Sequence, residues 1–578
     1  MKHRNYCIAI LFLTVITHGA WCQVIPSFRS TDWTKAGYRG AIPVYPVVKN
    51  ITDYGGSGDG FTLNDAALQN AITSLNNQNG IIYFPAGNYV FNAAINLGDS
   101  IVLKGEGATN TILRFNLSGS GNLISIAGAG SSTVANVSSP AFKESSSVVV
   151  DDASLFGVND HIKIYQNDAA LVNDIWALES VGQVVRIDSI TGNRIYFSNA
   201  LRRNYLLADA PKIRRLEMST GVGIECLTIK RLDSSAQQTA NIFLSYAANC
   251  WVTGIESDSC NFAHIQIGNS TNIEISDSYF HGSFGYGGGG QGYGVACEYT
   301  SGDCLIENNI FKHLRHSMLV QSGANGNVFD YNYSLEPFKT DTIPYDFSGD
   351  IVIHGNYPYL NLFEGNIVQN IVIDASHGIN GPYNTLFRNR AASYGIFISP
   401  GAGDSSNIVG NEITGTGFYK GNYYLQGNGN LEYGNNKNDS IIPAGSTVLT
   451  EKSYIYNTMP AFWNIPSLWP SVGIPIIVST GTNPAKERFA GGMNISFCIP
   501  PVPVIYAFTG NGNWTAAANW SNDLQPPAVL SAGSEIIIDP PGNTQCVLNI
   551  PYTVTRNATL TVKPGKRFIV QQNLTILK

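Results

Sequence analysis

A short segment that ends in asparagine recurs through the middle of this 578-residue chain. Each copy alternates apolar residues over a few positions and closes on one of a series of asparagines: Asn309, Asn332, Asn366, Asn389 and Asn411. The steps between them are 23, 34, 23 and 22 residues, and Ser278 lies 31 residues before the first. One turn of this length cannot bury its own apolar side chains, so successive turns must stack about 4.8 Å apart around a shared core. The repeat therefore predicts an all-β chain that folds as a right-handed parallel β-helix, with one asparagine corner per coil.

The corner asparagines also predict how the coils are held in register. Asparagine adopts the left-handed backbone conformation more readily than most side chains do, so we expect that conformation at each corner. Stacked amide side chains can then hydrogen-bond along the axis of the solenoid.

The composition is typical of a secreted β-rich protein. Charged residues make up 13% of the chain, against roughly 25% in an average soluble domain. The 34 basic and 41 acidic residues give a formal net charge of −7, which argues against a nucleic-acid partner because phosphate binding needs a basic surface. Seven cysteines follow residue 22 without any C-x-x-C pair. A zinc site or a dense disulfide framework is therefore not expected, and one or two bridges are left open.

Residues 1–22 have the pattern of a cleaved secretory signal peptide. A basic start at residues 2–4 precedes the ten-residue apolar run CIAILFLTVI, and Ala20 and Cys22 place small residues before Gln23. The run is too short for a membrane span, and no later stretch reaches the ~18 apolar residues that a span needs. The sequence thus predicts a secreted protein, extracellular or at the cell surface, without a membrane span.

The start of the solenoid carries two further patterns. Residues 64–76 place five apolar residues on one helical face, which predicts a helix that caps the first coil: Ala67, Leu68, Ala71, Ile72 and Leu75. The motifs DYG at 53–55, GDG at 58–60 and YFPAGNY at 83–89 flank this helix. Together they resemble the N-terminal signature of the pectate-lyase superfamily, whose fold would then extend over about residues 45–480.

This resemblance implies the scaffold and a polysaccharide partner, and it leaves the reaction open. The superfamily includes polysaccharide lyases, glycoside hydrolases, uronan epimerases and phage tailspikes. The chain lacks the W-I-D-H and R-x-P-x-x-R segments of calcium-arginine pectate lyases, the combined N-T-D, D-D and G-H-G set of polygalacturonase-like hydrolases, and the D-P-H-D segment of mannuronan epimerases. The site residues are therefore predicted from coil register and loop length.

The repeat is interrupted once and ends before the C-terminus. Residues 130–215 read as antiparallel strands with a Gly-Asn turn, which predicts a β insertion within a solenoid domain of residues 23–500. The proline-rich text of about residues 450–500 predicts a C-terminal cap on that domain. Residues 505–578 are predicted to form a separate small β module that binds glycan or anchors the protein to a cell surface.

Two coils are longer than the rest, which predicts two loops that wall a groove across the solenoid. The step from Ser278 to Asn309 carries about 8 extra residues, and the step from Asn332 to Asn366 carries about 11. Aromatic rings there can stack on sugar faces. Polar and aromatic residues of these coils, with one arginine two coils on, are the predicted substrate-binding set: His281, Tyr286, Gln291, Tyr293, Glu298, Tyr345 and Arg388.

Histidines concentrate in the same region, where five of the seven that follow residue 22 fall within 97 residues. His354 and His377 each lie 12 residues before the asparagine of their coil, so we expect their rings to be neighbours. Imidazole titrates near neutral pH and suits proton transfer, and an arginine in the preceding coil can hold a carboxylate or sulfate. The predicted catalytic set is therefore His354, His377, His316, Arg315, Asp350 and Asp374.

Several reactions and one non-catalytic role fit these residues. The supply of His, Tyr and Arg favours β-elimination on a uronic-acid polysaccharide, in which a base removes the C5 proton and an acid protonates the leaving oxygen. Hydrolysis needs two carboxylates, and Asp350 with Asp374 is the predicted pair. A C5 epimerase and a glycan-binding adhesin are the remaining alternatives.

Other carboxylates in these coils are also available. Glu298, Asp330, Asp346 and Glu364 can each act as an acid or a base. Calcium is left open as a cofactor, because Asp346, Asp350 and Asp374 offer the oxygen ligands that Ca²⁺ prefers but match no calcium-loop pattern.

Overall fold

The computed structural model describes residues 23–463, 469–473, 481–492, 505–521, 525–526, 529–530, 534–554 and 558–576. The predicted signal peptide, residues 1–22, lies outside the described residues. Within these ranges, every helix is too short or too polar to cross a membrane.

Most of the chain winds into a right-handed parallel β-helix, which confirms the fold that the repeat predicted. A regular coil contributes one strand to each of three faces in turn, which we number face 1, face 2 and face 3. Face 1 is a 13-stranded sheet. Its strands are Val47–Asn50, Gly80–Phe84, Ile101–Gly105, Ser219–Thr220, Gly223–Glu225, Ala247–Thr253, Thr271–Ser276, Leu305–Glu307, Val328–Asp330, Leu362–Glu364, Thr385–Phe387, Asn407–Val409 and Leu431–Tyr433.

Faces 2 and 3 are two rows of one 21-stranded sheet, joined where Ile367–Ile373 and Arg390–Ile398 run across both. Face 2 also contains Asp59–Leu63, Gly87–Phe91, Thr111–Phe115, Thr228–Arg231, Glu256–Cys260, Tyr279–Ser283, Ile310–Lys312, Tyr333–Leu335, Glu412–Ile413, Asn435–Lys437 and Ser440–Ile442. Face 3 contains Ile95–Leu97, Ile124–Ala127, Ile242–Ser245, Ala263–Gly268, Tyr293–Glu298, His316–Val320, Ile351–Ile353 and Asn422–Tyr424.

The corner between faces 1 and 2 is built on the predicted asparagine ladder. The side-chain amide of Asn309 donates to Oδ1 of Asn332 over 3.1 Å, Asn332 donates likewise to Asn366 over 2.9 Å, and the series continues to Asn435. All are fully buried. The prediction that these asparagines adopt the left-handed conformation is wrong. The residue just before each of them adopts it, such as Asn308 or Gly365. The turn is made one residue early, and the asparagine itself is free to bond along the axis.

A second ladder of this kind lies at the turn between faces 3 and 1, and the sequence analysis missed it. Asn327 donates to Asn361, and Asn361 to Asn384, each over 2.9 Å. Each of the three lies five residues before an asparagine of the first ladder, at the start of the same recurring segment, so their spacing follows the same coil lengths.

The interior is a continuous stack of Ile, Val, Leu and Phe side chains, with Phe329 and Phe363 stacked at 4.9 Å. The first α-helix, Asp65–Thr73, covers the first coil and buries Ala67, Leu68 and Ala71, which confirms the predicted capping helix. Cys226 is disulfide-bonded, and the free thiols among the described residues are all buried: Cys250, Cys260, Cys297, Cys304 and Cys546. Short 3₁₀ turns occur at Ser27–Arg29, Trp33–Lys35, Ile51–Tyr54, Ala153–Leu155, Ile175–Ala177, Leu207–Asp209 and Ala517–Asn519.

An antiparallel six-stranded sheet occupies residues 129–217, where the sequence predicts a β insertion. Its strands are Ala129–Asn136, Ser147–Val149, His161–Tyr165, Gly182–Thr191, Arg194–Phe197 and Lys212–Glu217, and they enclose a core of their own. The insertion docks on the turns between faces 3 and 1. There the buried guanidinium of Arg202 pairs with the buried carboxylate of Asp303 and donates to Asn325 over 2.9 Å. Because both charges are out of water, this contact fixes the insertion in one position.

Both ends of the solenoid chain cover face 1. Residues 24–45 run along it and place Trp33 over its outward apolar residues, with Nε1 donating to the carbonyl of Leu360 over 2.8 Å. The C-terminal segment, which includes the helix Pro484–Ala490, binds at coils well before the end of the solenoid: Tyr454 donates its N–H to Glu364, and Arg488 donates to the carbonyl of Asn308. The described residues of the predicted cap therefore lie along the flank of the solenoid, where apolar side chains need covering.

The C-terminal module is a second, smaller solenoid. Its strands form three parallel sheets of three: Ile505–Phe508, Glu535–Ile538 and Thr559–Val562; Gly512–Asn513, Gln545–Leu548 and Arg567–Val570; Val529–Leu530, Tyr552–Val554 and Leu574–Ile576. Trp514 and Trp520 pack edge to face at 4.7 Å in its core. The two tryptophans of the motif GNWTAAANW are therefore buried and stabilise the module.

Three carboxylates stack in adjacent coils on the outside of face 1, beneath the C-terminal segment. Glu307 is in register with Asp330, and Asp330 with Glu364. Glu307 accepts from the hydroxyl of Tyr456, whereas neither oxygen of Asp330 has a hydrogen-bond partner in the described part of the chain. Burial raises the pKa of Glu307 to about 8 and of Glu364 to about 7, and raises that of Asp330 well above its ordinary value. Asp330 and Glu364 are buried structural groups, so they do not suit the acid or base role that the sequence allowed.

Replacing one member of the first asparagine ladder should destabilise the whole solenoid. In Asn366→Ala, the buried partners on Asn332, Asn389 and Phe329 lose their hydrogen bonds. Each unpaired buried group costs about 1–3 kcal/mol, so we expect a loss of about 3 kcal/mol or more in the free energy of unfolding. Denaturant unfolding measures it, and Asn96→Ala on an exposed strand position is the control. An equal, small loss in both variants would contradict the ladder as a source of stability.

The stacked carboxylates should make the protein less stable as the pH rises. The pKa values of these carboxyl groups are higher in the folded state than in the unfolded state. Their contribution to the free energy of unfolding is therefore fully present below about pH 4 and is lost as the pH rises through the folded-state pKa. Asp330→Asn removes this loss, so the variant should be more stable than the parent by about 1–3 kcal/mol at pH 8 and nearly equal to it at pH 4. Thermal unfolding at the two pH values tests this, and a variant that is destabilised equally at both would refute it.

Candidate functional site

The two enlarged coils form loops between faces 2 and 3, at residues 284–292 and 336–350. The loops contact each other: the rings of Tyr286 and Phe338 meet edge to face at 5.1 Å, and the N–H of Gly288 donates to Asp341 over 2.6 Å. Tyr345 lies at the rim with 54% of its surface exposed. The loops therefore form one wall, which we call the loop wall, beside the outer surface of face 3.

Gln291 and Tyr293 lie where the first loop returns to face 3. Gln291 packs against Gly285 on the other side of the loop, close enough that a Cβ there would meet its amide. Tyr293 is buried, and the guanidinium of Arg315 lies 5.6 Å from the centre of its ring. Both residues hold the loop wall in place from inside.

A row of rings runs along face 3, from Tyr293 and His316, which begin their strands, to His354, which follows the end of its strand. The centroids of Tyr293 and His316 are 5.2 Å apart, those of His316 and His354 are 5.7 Å apart, and those of His354 and His377 are 5.0 Å apart. The row continues onto the insertion, where the indole of Trp176 lies 5.4 Å from His377. The structure thus brings His316, His354 and His377 together, as coil register suggested.

The register itself differs from the expected one. Pairing of Ile353 with Ile373 places His354 opposite Asp374 in the next coil, and not opposite His377. His377 comes close because the turn after Asp374 folds back, so that the N–H of Asn356 donates to the carbonyl of His377 over 2.8 Å. The sequence thus correctly predicted that His354 and His377 are neighbours, but it wrongly predicted that they occupy equivalent positions in adjacent coils.

Two histidine–aspartate pairs form the centre of the site. Nδ1 of His354 lies 2.9 Å from Oδ2 of Asp374, and Nδ1 of His377 lies 2.8 Å from Oδ2 of Asp174. The His354 side chain is 8% exposed and that of His377 is 35% exposed. Each carboxylate orients its ring through Nδ1, which leaves Nε2 for proton exchange with a substrate. His377 is the more accessible of the two.

The environment keeps both carboxylates ionised. Burial by itself raises the pKa of Asp374, but hydrogen bonds from His354 and from the N–H of Ser376 outweigh it and bring the pKa to about 2. Burial is likewise outweighed at Asp174, where hydrogen bonds from Asn356 and His377 lower the pKa. The ionised carboxylates of Asp374 and Asp174 therefore each contact Nδ1 of one imidazole.

Asp174 and Trp176 were missed by the sequence analysis, and both come from the insertion. They lie on a loop of residues 168–181 that is closed by the carboxylate of Asp168, which accepts the N–H groups of Glu179 and Val181 over 2.9 Å. The motif NDIWALES carries an aspartate and a tryptophan at its centre. Nothing in the sequence says that an insertion at residue 174 reaches a coil at residue 377.

His316, within the row, and its neighbour Arg315 are both buried. Nδ1 of His316 lies 2.9 Å from the carbonyl of Gly349, and burial together with the Arg315 charge lowers its pKa well below the ordinary value, so this ring is neutral. Arg315 donates to the carbonyl of Gly287 over 2.8 Å and so braces the loop wall. The charge of Lys339, on the second loop, acts on both Arg315 and Asp374.

Asp350 does not face the site. It is almost fully buried and accepts hydrogen bonds from Ser334 over 2.6 Å and from the N–H groups of Gln369 and Asn370 over 2.9 and 2.8 Å. Burial raises its pKa to about 6. The catalytic role predicted for Asp350, and its pairing with Asp374 for hydrolysis, do not fit this position, because its oxygens hold the end of the second loop in place.

The position of Arg388 also differs from the predicted one. Its guanidinium is buried and donates to the carbonyls of Leu449, Glu451 and Val472. The residue anchors the C-terminal segment to the corner of faces 1 and 2, so the predicted role in substrate binding does not fit it.

Glu298 lies two coils before His354 in the same register, with Gln321 between them, whereas His281 lies apart from the two pairs. Glu298 is buried, accepts from the side chains of Gln266 and Gln321, and has a pKa raised by burial. His281 is on face 2, where Nε2 lies 2.8 Å from Glu256 and its ring stacks on Tyr279 at 4.4 Å. The structure does not bring His281 to the histidine row.

The three aspartates considered for calcium each have protein partners. Oδ1 of Asp346 accepts from the hydroxyl of Tyr394 over 2.9 Å, and Asp350 and Asp374 are bonded as described above. Across the described ranges, no three His, Cys, Asp or Glu side chains meet in a group that could hold a metal ion.

A family model described as rhamnogalacturonase A/epimerase, pectate lyase-like, matches residues 48–200. This confirms the resemblance to pectate-lyase-like proteins that the N-terminal motifs predicted. No curated protein matches the chain by sequence.

Solved structures similar to this chain include the tailspike gp49 of Pseudomonas phage LKA1, at 13% identity over 91% of this chain and 78% of the tailspike, with a TM-score of 0.47. The A-module of the mannuronan C-5 epimerase AlgE6 of Azotobacter vinelandii matches at 13% identity over 67% of this chain and 98% of the module, with a TM-score of 0.25. The catalytic unit of a GH87 α-1,3-glucanase of Streptomyces thermodiastaticus matches at 12% identity over 66% and 61%, with a TM-score of 0.28.

Asp374→Asn should destabilise the protein in a pH-dependent way. A folded-state pKa below the unfolded one contributes stability that is present above about pH 4 and is lost as the pH falls towards the folded value of about 2. We expect the variant to lose about 1–3 kcal/mol at pH 7 and the difference from the parent to shrink at pH 3. Denaturant unfolding at the two pH values measures it. A difference that is the same at both would show that the His354 contact does not hold the charge of Asp374.

Proposed function

We propose that this protein is a secreted enzyme that cleaves an acidic polysaccharide by β-elimination. The observation that carries the proposal is the pair of carboxylate-oriented imidazoles, His354 and His377, whose ring centroids lie 5.0 Å apart beside an exposed tryptophan. Elimination from a uronic acid unit needs one group that takes the C5 proton and one that gives a proton to the leaving oxygen. Two neighbouring imidazoles with fixed Nδ1 partners supply both.

In the proposed reaction, Nε2 of His377 takes the proton from C5, and the electron pair of that bond forms the double bond between C4 and C5. The bond from C4 to the glycosidic oxygen breaks, and that oxygen takes a proton from His354. Ionised Asp374 stabilises the protonated form of His354, and Asp174 does the same for His377 after it has taken its proton. No redox partner is needed.

The surroundings supply the other requirements of the reaction. Lys339, on the second loop, interacts electrostatically with Asp374, and its ammonium can offset the charge that develops on the uronate carboxylate. The indole of Trp176 is 44% exposed and offers a flat apolar surface for a sugar ring. The loop wall adjoins the Tyr293 end of the row and the insertion loop adjoins its His377 end, so that a chain can lie along the row between them.

Hydrolysis is less well supported, because its predicted pair included Asp350, which is buried and fully engaged. Attachment to a glycan or a cell surface through residues 505–578 remains part of the proposal. The buried tryptophans of that module mean that another surface must make the contact.

A panel of uronic-acid and neutral polysaccharides, each with and without a chelator, tests the reaction. Ultraviolet absorbance that grows as the chains shorten means an unsaturated product and supports elimination. New reducing ends without absorbance mean hydrolysis, and binding without cleavage means an adhesin. Loss of activity in chelator that returns with Ca²⁺ would show a calcium requirement.

His377→Gln should lower turnover on the responsive polysaccharide by about 10²–10⁴-fold, the usual contribution of a general base. His281→Gln is the matched control, because His281 has the same 2.8 Å contact with a carboxylate on face 2. Initial rates and circular dichroism of both variants are compared with the parent. Full activity of His377→Gln, or an equal loss in both variants, would contradict the role of His377.

A further inference from the structure

A second concave site lies at the edge of the insertion, beside the loop that carries Asp174 and Trp176. It is a cavity of about 440 Å³, and its lining includes Tyr165, Gln166, Asn167, Leu178, Glu179 and Lys212. Pockets that bind small molecules typically have volumes of about 300–1,000 Å³. The cavity is therefore large enough for a sugar unit.

The cavity and the histidine row share one structural element. The loop of residues 168–181 presents Trp176 to His377, and two residues later it presents Leu178 and Glu179 to the cavity. Asp168 closes this loop, and the N–H of Asn173 in the loop donates to the side chain of Asn356. The loop is therefore fixed to the solenoid. A glycan bound at the histidines can thus continue across the loop into the cavity.

The charged residues of the lining leave one lysine for a ligand. Of the two acidic residues of the lining, Asp168 accepts two backbone N–H groups of its own loop, and Glu179 pairs with Arg214 over 3.4 Å. Lys212 pairs with Tyr165 across the antiparallel strands, so that both project to the same side of the sheet. Lys212 is the cation of the lining, and its ammonium suits an anionic ligand.

One buried acceptor on the lining is left without a partner. Gln166 is 4% exposed, and its Oε1 makes no hydrogen bond within the described ranges of the chain. A buried polar atom of this kind costs free energy unless a ligand or water satisfies it. A sugar hydroxyl is a donor of the right kind for this oxygen.

We propose that this cavity binds one acidic sugar unit of the polysaccharide, as a subsite beyond the unit that reacts at His377. That the ligand is part of the substrate rests on the proposed function. Binding to the cavity itself can be tested without turnover.

The test measures binding of digalacturonate, of the corresponding mannuronate and glucuronate disaccharides, and of neutral cellobiose to the full chain in the His377→Gln background. Ala169→Trp fills the cavity from an exposed lining position, and Lys212→Ala removes a charge. Each should weaken binding of the best uronic disaccharide about tenfold or more. The matched controls are Ala93→Trp and Arg194→Ala at exposed positions elsewhere, which should leave the dissociation constant unchanged.

The outcomes separate this inference from the proposed function. If neither lining variant changes the dissociation constant, or if cellobiose binds as tightly as the uronic disaccharides, the acidic subsite is refuted, whatever the polysaccharide panel shows. If binding falls in both lining variants while the panel shows no cleavage, the cavity stands as a glycan site and the elimination reaction fails. If both hold, Lys212→Ala in the otherwise native chain should raise KM for the polymer and leave kcat nearly unchanged.

Discussion

The register between stacked coils is the constraint on which the rest of this structure depends. Parallel pairing fixes the axial distance from one coil to the next, and the buried amide ladder from Asn309 to Asn435 fixes the lateral position of each corner. A shift of one residue in any coil would expose its apolar side chains and leave buried amides unpaired. The ladder therefore turns a one-dimensional repeat into a rigid surface, on which the position of every outward side chain is set by its place in the coil.

Rigid coils allow the site to be assembled from distant parts of the chain. The histidine row runs along face 3, and the loop wall comes from two enlarged coils that disturb neither ladder. The insertion supplies the remaining groups, and the buried pair of Arg202 and Asp303 holds it against the solenoid. Asp174 and Trp176 are consequently placed beside His377 from about 200 residues away.

Burial decides what each carboxylate of this charge-poor chain can do. Asp174 and Asp374 receive hydrogen bonds from imidazoles and backbone groups, so they stay ionised and orient the two rings. Asp330 and Glu364 are more deeply buried, lie in register in adjacent coils beneath the C-terminal segment, and have pKa values raised by burial. Asp350 is buried among backbone donors at the end of a loop. Aspartates from neighbouring coils thus serve quite different purposes, which follow from their partners and not from their spacing.

By itself, the sequence determined the solenoid, its period, the capping helix and the two enlarged coils. Each of these follows from a local sequence pattern: apolar periodicity, a recurring asparagine and the number of residues between corners. It also brought His354 and His377 together, although the pairing of His354 with Asp374 shows that the assumed equivalence was off by three residues. Only the tertiary structure decided that Asp174 and Trp176 complete the site, that Arg388 and Asp350 are buried supports, and that the C-terminal segment returns along face 1. Those outcomes depend on how an insertion and two chain ends dock on the coils, and docking between segments hundreds of residues apart leaves no periodic trace in the sequence.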